Sequence, residues 1–169
     1  QDISRLGAGD QILIVEDHCR HTIQPIGARQ IDSGLYHAVE SRIIEALKRQ
    51  PGAPAYLHLL GTIRKAAGAY AAARAALLVA NAAAPRDREI PVTLGGVCLD
   101  LGLISEARDW LEDAVGRGAS SAVAWDNLGL ARRRGGDLAG AASAFSQAVA
   151  AAPKFVPALA NLVQVRKYL

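Results

Sequence analysis

The stretch AVAWDNLGLARRRGGDLAGAASAFSQAVAAAPKF, residues 122–155, decides the architecture. Trp125, Leu128, Gly129 and Arg132 stand at i, i+3, i+4 and i+7, the stripe of one helical face. Gly136 then ends that helix, because a residue without Cβ readily takes the left-handed conformation that closes a helix C-terminus. Ala141, Phe145 and Ala148 make the stripe of a second helix, and Pro153 stops it. Gly129, Ala141 and Ala148 are small where the two helices of a hairpin must come close, while Trp125, Leu128 and Phe145 fill the space between them.

The same pattern extends outward in both directions. Gly27, Gly61, Gly95 and Gly129 are spaced by 34 residues, and Gly34, Gly68, Gly102 and Gly136 keep the same period. Ile26, Leu60, Leu94, Leu128 and Leu162 form a third column; Val39, Ala73, Ala107 and Ala141 a fourth. Ile43, Leu77, Leu111 and Phe145 run in step with Ala46, Ala80, Ala114 and Ala148. Pro51, Pro85 and Pro153 close three units, with Ala119 in the remaining one. A fixed period of this kind marks stacked supersecondary units, each burying its apolar face against the next. The boundaries expected are a non-repeat segment over 1–19, a degenerate first unit over 20–53, full units over 54–87, 88–121 and 122–155, and a terminal capping helix over 156–169.

Trp125, Leu128, Gly129, Ala141, Phe145, Ala148 and Pro153 together resemble the tetratricopeptide repeat signature, with Arg132 where the family usually has Tyr. The resemblance covers residues 54–155. Over 20–53 it is weaker: Gly27, Gly34, Ile43, Ala46 and Pro51 remain, but Val39 replaces a small residue and Pro25 falls inside the expected first helix. The implied fold is all-α, an α-solenoid of tandem helix-turn-helix hairpins wound into a right-handed superhelix. Its concave groove would be lined mainly by the first helix of each hairpin.

Composition agrees with such a fold. The chain has 169 residues, 51% hydrophobic and 21% charged, enough for one domain with a continuous core. Its alanine-rich runs favour closely packed helices. A net charge of +3 and a pI near 9.1 fall short of a dedicated nucleic-acid binder, so no nucleic-acid partner is expected. Charged residues such as Arg74, Asp100 and Arg132 interrupt the apolar stretches before they reach membrane-spanning length. No charged n-region followed by an apolar h-region stands at the start, and the compartment stays open.

Residues 1–19 do not share the period. Gly7 and Gly9 would break a helix, and residues 12–15 are β-branched enough for a short strand. The string Ile12-Leu13-Ile14-Val15-Glu16-Asp17 resembles the first strand and acidic pair of a response-regulator receiver, but the repeats begin too soon for the rest of such a domain.

Candidate chemistry is sparse. His18, Cys19 and His21 cluster without a fourth zinc ligand, so no metal or cofactor is expected. None of Ser33, Ser41, Ser105, Ser143 or Ser146 sits in a nucleophile motif, and neither glycine column forms a phosphate loop; the chain is expected not to be an enzyme. Cys98 falls on a buried stripe and reads as a core residue.

The expected site is the face beside the core stripe of each first helix. It carries His58, Thr62 and Lys65; then Val92, Gly96 and Leu99; then Asp126, Leu130 and Arg133; then Ala160, Gln164 and Lys167. This predicts an apolar middle with basic ends. The doublets Arg64-Lys65, Arg132-Arg133 and Arg166-Lys167 have two readings, a ledge for carboxylates or cations that offset helix dipoles by about 0.3–1 kcal/mol each. The resemblance also raises the family's carboxylate clamp, which the residues reject: His58, Thr62, Thr93 and Val123 occupy most of the matching positions, leaving only Asn127 as a polar candidate. The expected function is a scaffold or adaptor that holds another protein or peptide, with acidic residues flanking an apolar segment, in the groove. The alternatives are a regulatory module of a larger multidomain enzyme and a secretion-type chaperone.

Overall fold

The computed structural model describes Ile14–Asp17, Arg20–Ile23 and residues 33–169. Among the described residues eight helices follow one another: α1 (Ser33–Arg49), α2 (Pro54–Ala66), α3 (Tyr70–Ala83), α4 (Glu89–Asp100), α5 (Ile104–Gly116), α6 (Ala122–Arg134), α7 (Leu138–Ala151) and α8 (Val156–Arg166). The pairs α2/α3, α4/α5 and α6/α7 are the three hairpins read from the period.

The glycine column at the hairpin bends does what its chemistry allows. Gly68, Gly102 and Gly136 all have φ between +75° and +89°. At each, the glycine N–H and the next N–H turn back to the last carbonyls of the helix, as in Gly136 to Arg133 (3.1 Å) and Asp137 to Arg132 (2.9 Å). Where Ala119 replaces the closing proline, Gly118 (φ +90°) ends α5 by the same pair of bonds. Proline appears inside the first turn of α2 and of α8, where no N–H partner is lost.

The other glycine column makes room. A Cβ placed at Gly61 would overlap the side chain of Leu77, one at Gly95 that of Leu111, and one at Gly129 the ring of Phe145. Each first helix therefore offers a hole into which its own second helix inserts a large side chain. Leu77, Leu111 and Phe145 are fully buried there, and the alanine columns at 73, 107, 141 and 80, 114, 148 are buried with them.

Neighbouring hairpins are arranged unequally. The backbones of the first helices α2, α4, α6 and α8 each come close to the next, whereas the backbones of the second helices α1, α3, α5 and α7 come close to first helices and not to one another, α3 and α5 meeting only through side chains. An array whose first helices adjoin while its second helices splay must curve toward the first helices. The concave edge is thus the edge the resemblance implied. At its centre α4 is enclosed by α2, α3, α5 and α6 and is buried along nearly its whole length from Ile90 to Leu99.

The beginning of the array departs from expectation. Arg20–Ile23, where the first helix of the unit over 20–53 was expected to start, is a strand, β2, paired antiparallel with β1 (Ile14–Asp17) in the register Ile14 to Ile23 and Asp17 to Arg20. β2 lies against α2. Of the short strand expected over residues 12–15, residues 14 and 15 fall in β1, and residues 12 and 13 lie outside the described residues. Thr22 and Ile23 are β-branched and Pro25 follows, which suits an extended segment better than a helical turn. Only the second helix of that unit, α1, is present among the described residues.

Candidate functional site

The concave edge is stitched by side chains that reach from one first helix to the next. Four such contacts repeat at a separation of 35 residues, one repeat plus one residue. His58 on α2 meets Thr93 on α4 at 2.8 Å. Lys65 on α2 meets Asp100 on α4 at 3.8 Å. Arg134 on α6 donates from Nη1 to the Leu99 carbonyl on α4 at 2.8 Å. Asn161 on α8 donates from Nδ2 to Asp126 on α6 at 3.0 Å. The extra residue follows from geometry: on parallel neighbours, the trailing flank of one helix faces the leading flank of the next, and a step of about 100° along the helix moves a side chain between those flanks.

Within this seam, Thr93 Oγ1 donates to the Glu89 carbonyl, which leaves its oxygen to accept the Nε2–H of His58. Burial holds the His58 imidazole below its ordinary value, the Asp87 charge opposing weakly. Asp126 is buried too, and desolvation raises its carboxyl although Asn161 and Arg133 pull the other way. The Lys65 ammonium lies over Gly96, in the space a side chain would fill, with the Asn127 amide beside it. Arg133 spans the α6–α8 seam, donating to Gln164 (3.0 Å) and Asn161 (3.4 Å), with its guanidinium 6.0 Å from the Phe145 ring centroid.

Set against the sequence-derived residues, His58, Thr62, Lys65, Leu130, Arg133 and Gln164 all fall on or beside this edge. Thr62 is half-buried and donates to the His58 carbonyl, one turn back. Leu130 is half-buried and packs into the cores on both sides of α6. Val92 and Leu99 do not form an apolar floor. Each is only 6% exposed, Val92 against Ala114, Ala119 and Ala124, and Leu99 in the cluster around Leu111 and Leu128. The helix that carries them is covered on all sides, so the position beside its core stripe is core as well. Asp126 is likewise buried rather than open. Lys167 is the exposed C-cap residue of α8, and its side chain makes no bond to the concave edge among the described residues. Asp100, Arg134 and Asn161 belong to the edge and were missed, while Thr93 and Asn127, weighed only as clamp positions, belong to it as well.

The basic doublets divide. Arg64 turns outward to Glu40 on α1 (2.7 Å) and Arg132 to Glu112 on α5 (3.0 Å), while Lys65 and Arg133 face the concave seam. The positive charge on the outer side is thereby matched by carboxylates. On the concave side Arg133 and Arg134 donate to neutral oxygens, and Lys65 has one long pairing with an exposed Asp100.

Elsewhere, a cleft of about 480 Å³ between α1 and α2 is lined by Arg42, Glu45, Arg49 and Tyr56 and shares no residue with the concave edge. Cys98 is fully buried, and desolvation pushes its thiol up to about 11, far from the range of a reactive thiolate. His18 and Cys19 lie outside the described residues. Among the described residues no helix is long and apolar enough to cross a membrane, and no His, Cys, Asp and Glu side chains gather in a metal-sized group.

The sequence matches no protein-family model and no curated protein. The fold does match solved structures. A crystal structure of MamA superposes with a TM-score of 0.72 at 21% identity, covering 79% of this chain and 78% of that one. The first TPR domain of Spaghetti (RPAP3), bound to the HSP90 peptide SRMEEVD, gives 0.64 at 20% identity over 66% of this chain and 89% of its own. The Arabidopsis OM64 TPR domain gives 0.67 at 17% identity over 69% and 97%. The likeness is one of fold.

Proposed function

From a chain with the tetratricopeptide-repeat fold, we infer a protein-interaction module whose concave edge holds an extended or helical segment of a partner, with acidic residues flanking a short apolar stretch. One observation carries this reading. Arg133 and Arg134 stand on the two flanks of α6, Arg133 turned to α8 and Arg134 to α4, and each is ordered by hydrogen bonds to neutral oxygens. Guanidinium groups fixed in place without a carboxylate hydrogen-bonded to them, Asp126 acting on Arg133 only through its charge, suit bidentate recognition of a carboxylate, and little ordering entropy remains to be lost on binding. Lys65 adds a third cation across the Gly96 recess, and the half-buried Leu130 supplies apolar surface nearby. The neighbour bound to SRMEEVD, a peptide with acidic residues, supports the same class of ligand.

The test uses a fluorescein-labelled synthetic peptide with Asp or Glu on either side of a four-residue Leu/Phe stretch, and its Lys-flanked counterpart. The wild-type chain is expected to bind the acidic peptide, more weakly as salt rises. The variant Lys65→Glu/Arg133→Glu/Arg134→Glu should slow association by roughly tenfold or more and remove the salt dependence, with cooperative unfolding retained. Wild-type association by that variant would refute the assignment of this edge.

A further inference from the structure

Position 163 continues the column of Gly61, Gly95 and Gly129 by one further period, and it is valine. In the three hairpins that position is the hole for Leu77, Leu111 or Phe145 of the covering second helix. In α8 it is a knob. The face that bears it is uncovered: Val156 is 70% exposed, Val163 59% and Leu159 38%, at i, i+7 and i+3 along one stripe. Ala158 and Val165 on the opposite side are buried against α6 and α7, so this stripe contributes nothing to the core formed by the described residues. Apolar surface elsewhere on the described chain is scattered, as at Ile44, Val79, Leu103 and Val123.

The charge around the stripe is of one sign. From Leu138 to Leu169 the chain has no Asp or Glu; its charged side chains are Lys154 before α8, Arg166 at its last position and Lys167 just after it. A second copy of the chain laid on this face would bring the same cations to the same place. A covering helix built like α3, α5 or α7 would drive its large central side chain into the Val163 methyl groups. Both are disfavoured by what the face presents.

We propose that the outward face of α8 docks an amphipathic helix of another protein, one that offers a small residue to Val163 between larger apolar neighbours and carries acidic residues along its margins. The arrangement inverts the packing within the hairpins: here the first-type helix supplies the knob and the partner supplies the hole. Acidic margins would meet Lys154, Arg166 and Lys167, steering encounter while Val156, Leu159 and Val163 supply the buried area. This site is independent of the concave edge.

The probes are synthetic helical peptides with a leucine stripe, an alanine at its centre and glutamates on both flanks, together with a leucine-centred version and a lysine-flanked version. Binding to the full chain is read by fluorescence anisotropy. The alanine-centred, Glu-flanked peptide should bind; a leucine centre should weaken it roughly tenfold or more, and lysine flanks should abolish binding. Val163→Glu should abolish binding with the circular dichroism spectrum unchanged, because the residue is exposed. Val163→Gly restores the hole and should reverse the preference in favour of the leucine-centred peptide. Absence of binding, equal binding of Glu- and Lys-flanked peptides, or an unchanged preference in Val163→Gly would overturn the proposal. So would sedimentation equilibrium showing a dimer that Val163→Glu dissolves, which would give the face to a second copy. Val163→Glu should bind the extended acidic peptide of the concave edge as the wild type does, so failure of one site is distinguishable from failure of the other.

Discussion

The concave and outer edges of the array are built from the same basic doublets, yet they treat them differently. Arg64 and Arg132 turn to carboxylates on the preceding second helix, and Arg74 on α3 pairs with Glu106 on the following second helix, α5 (2.7 Å). Lys65 and Arg133, one residue further on, are rotated by about 100° into the seam between first helices. There the contacts are hydrogen bonds to neutral groups and the long Lys65–Asp100 pair. A sequence doublet that looks like one feature is therefore two: an outer cation that ties neighbouring units together, and an inner cation with charge to spare. The choice between a structural ledge and a binding ledge is made residue by residue.

The largest expected effect strikes the feature that lets both edges exist, the close approach within a hairpin. Gly129→Leu must displace the Phe145 ring, and overpacking of this kind costs about 1–3 kcal/mol or more. A melting temperature equal to that of the wild type would show that the hairpin does not depend on this contact. A smaller effect separates the members of a doublet. Arg132→Ala removes the Glu112 pair, which is partly exposed, and should lower stability by about 0.2–1 kcal/mol while leaving acidic-peptide binding intact. Arg133→Ala should weaken that binding severalfold with little change in stability. If the two variants behave alike in both measurements, the division of the doublets fails.

The smallest effect is a pH dependence confined to the inner seam. Burial lowers the His58 pKa in the folded chain relative to the ordinary 6.5, so the folded state favours the neutral ring. Its contribution to stability is complete above pH 6.5 and is lost as pH falls from there through the lower folded value. Asp126 has the opposite sign: its folded pKa is raised, so the native state takes up a proton first and regains stability as pH falls through that value. Urea denaturation at pH 7.5, 6.0 and 5.0 should show the loss in the wild type and a flatter profile in His58→Gln. A profile unchanged by His58→Gln would place the titrating group elsewhere.

Much of the fold was legible because each glycine and alanine column records a backbone constraint: a left-handed turn at Gly136, a close approach at Gly129. Such constraints are local and survive without knowledge of neighbours. The first unit was misread over Arg20–Ile23 because the column at Gly27 was given more weight than the β-branched pair Thr22-Ile23 and Pro25. The site was harder to read for a different reason. A stripe at i, i+4, i+7 identifies one face of one helix, and for α4 every face is covered, so Val92 and Leu99 carried no sign of which neighbour would bury them. Asp100, Arg134 and Asn161 were missed because their partners are 35 residues away, not 34. The information was in the sequence as a shift of one residue between units, but it becomes meaningful only once parallel first helices are known to adjoin.

The account rests on the concave cations recognising carboxylates, and a charge-swap experiment tests that most directly. Affinities of the wild type and of Lys65→Glu/Arg133→Glu/Arg134→Glu are measured for the acidic-flanked and lysine-flanked peptides, beside the melting temperature of each protein. The account predicts that the preference inverts: the variant loses the acidic peptide, gains the lysine-flanked one, and still unfolds cooperatively. If these cations serve only to offset helix dipoles, the variant will melt at a lower temperature and keep the wild-type preference, and that result would contradict the account.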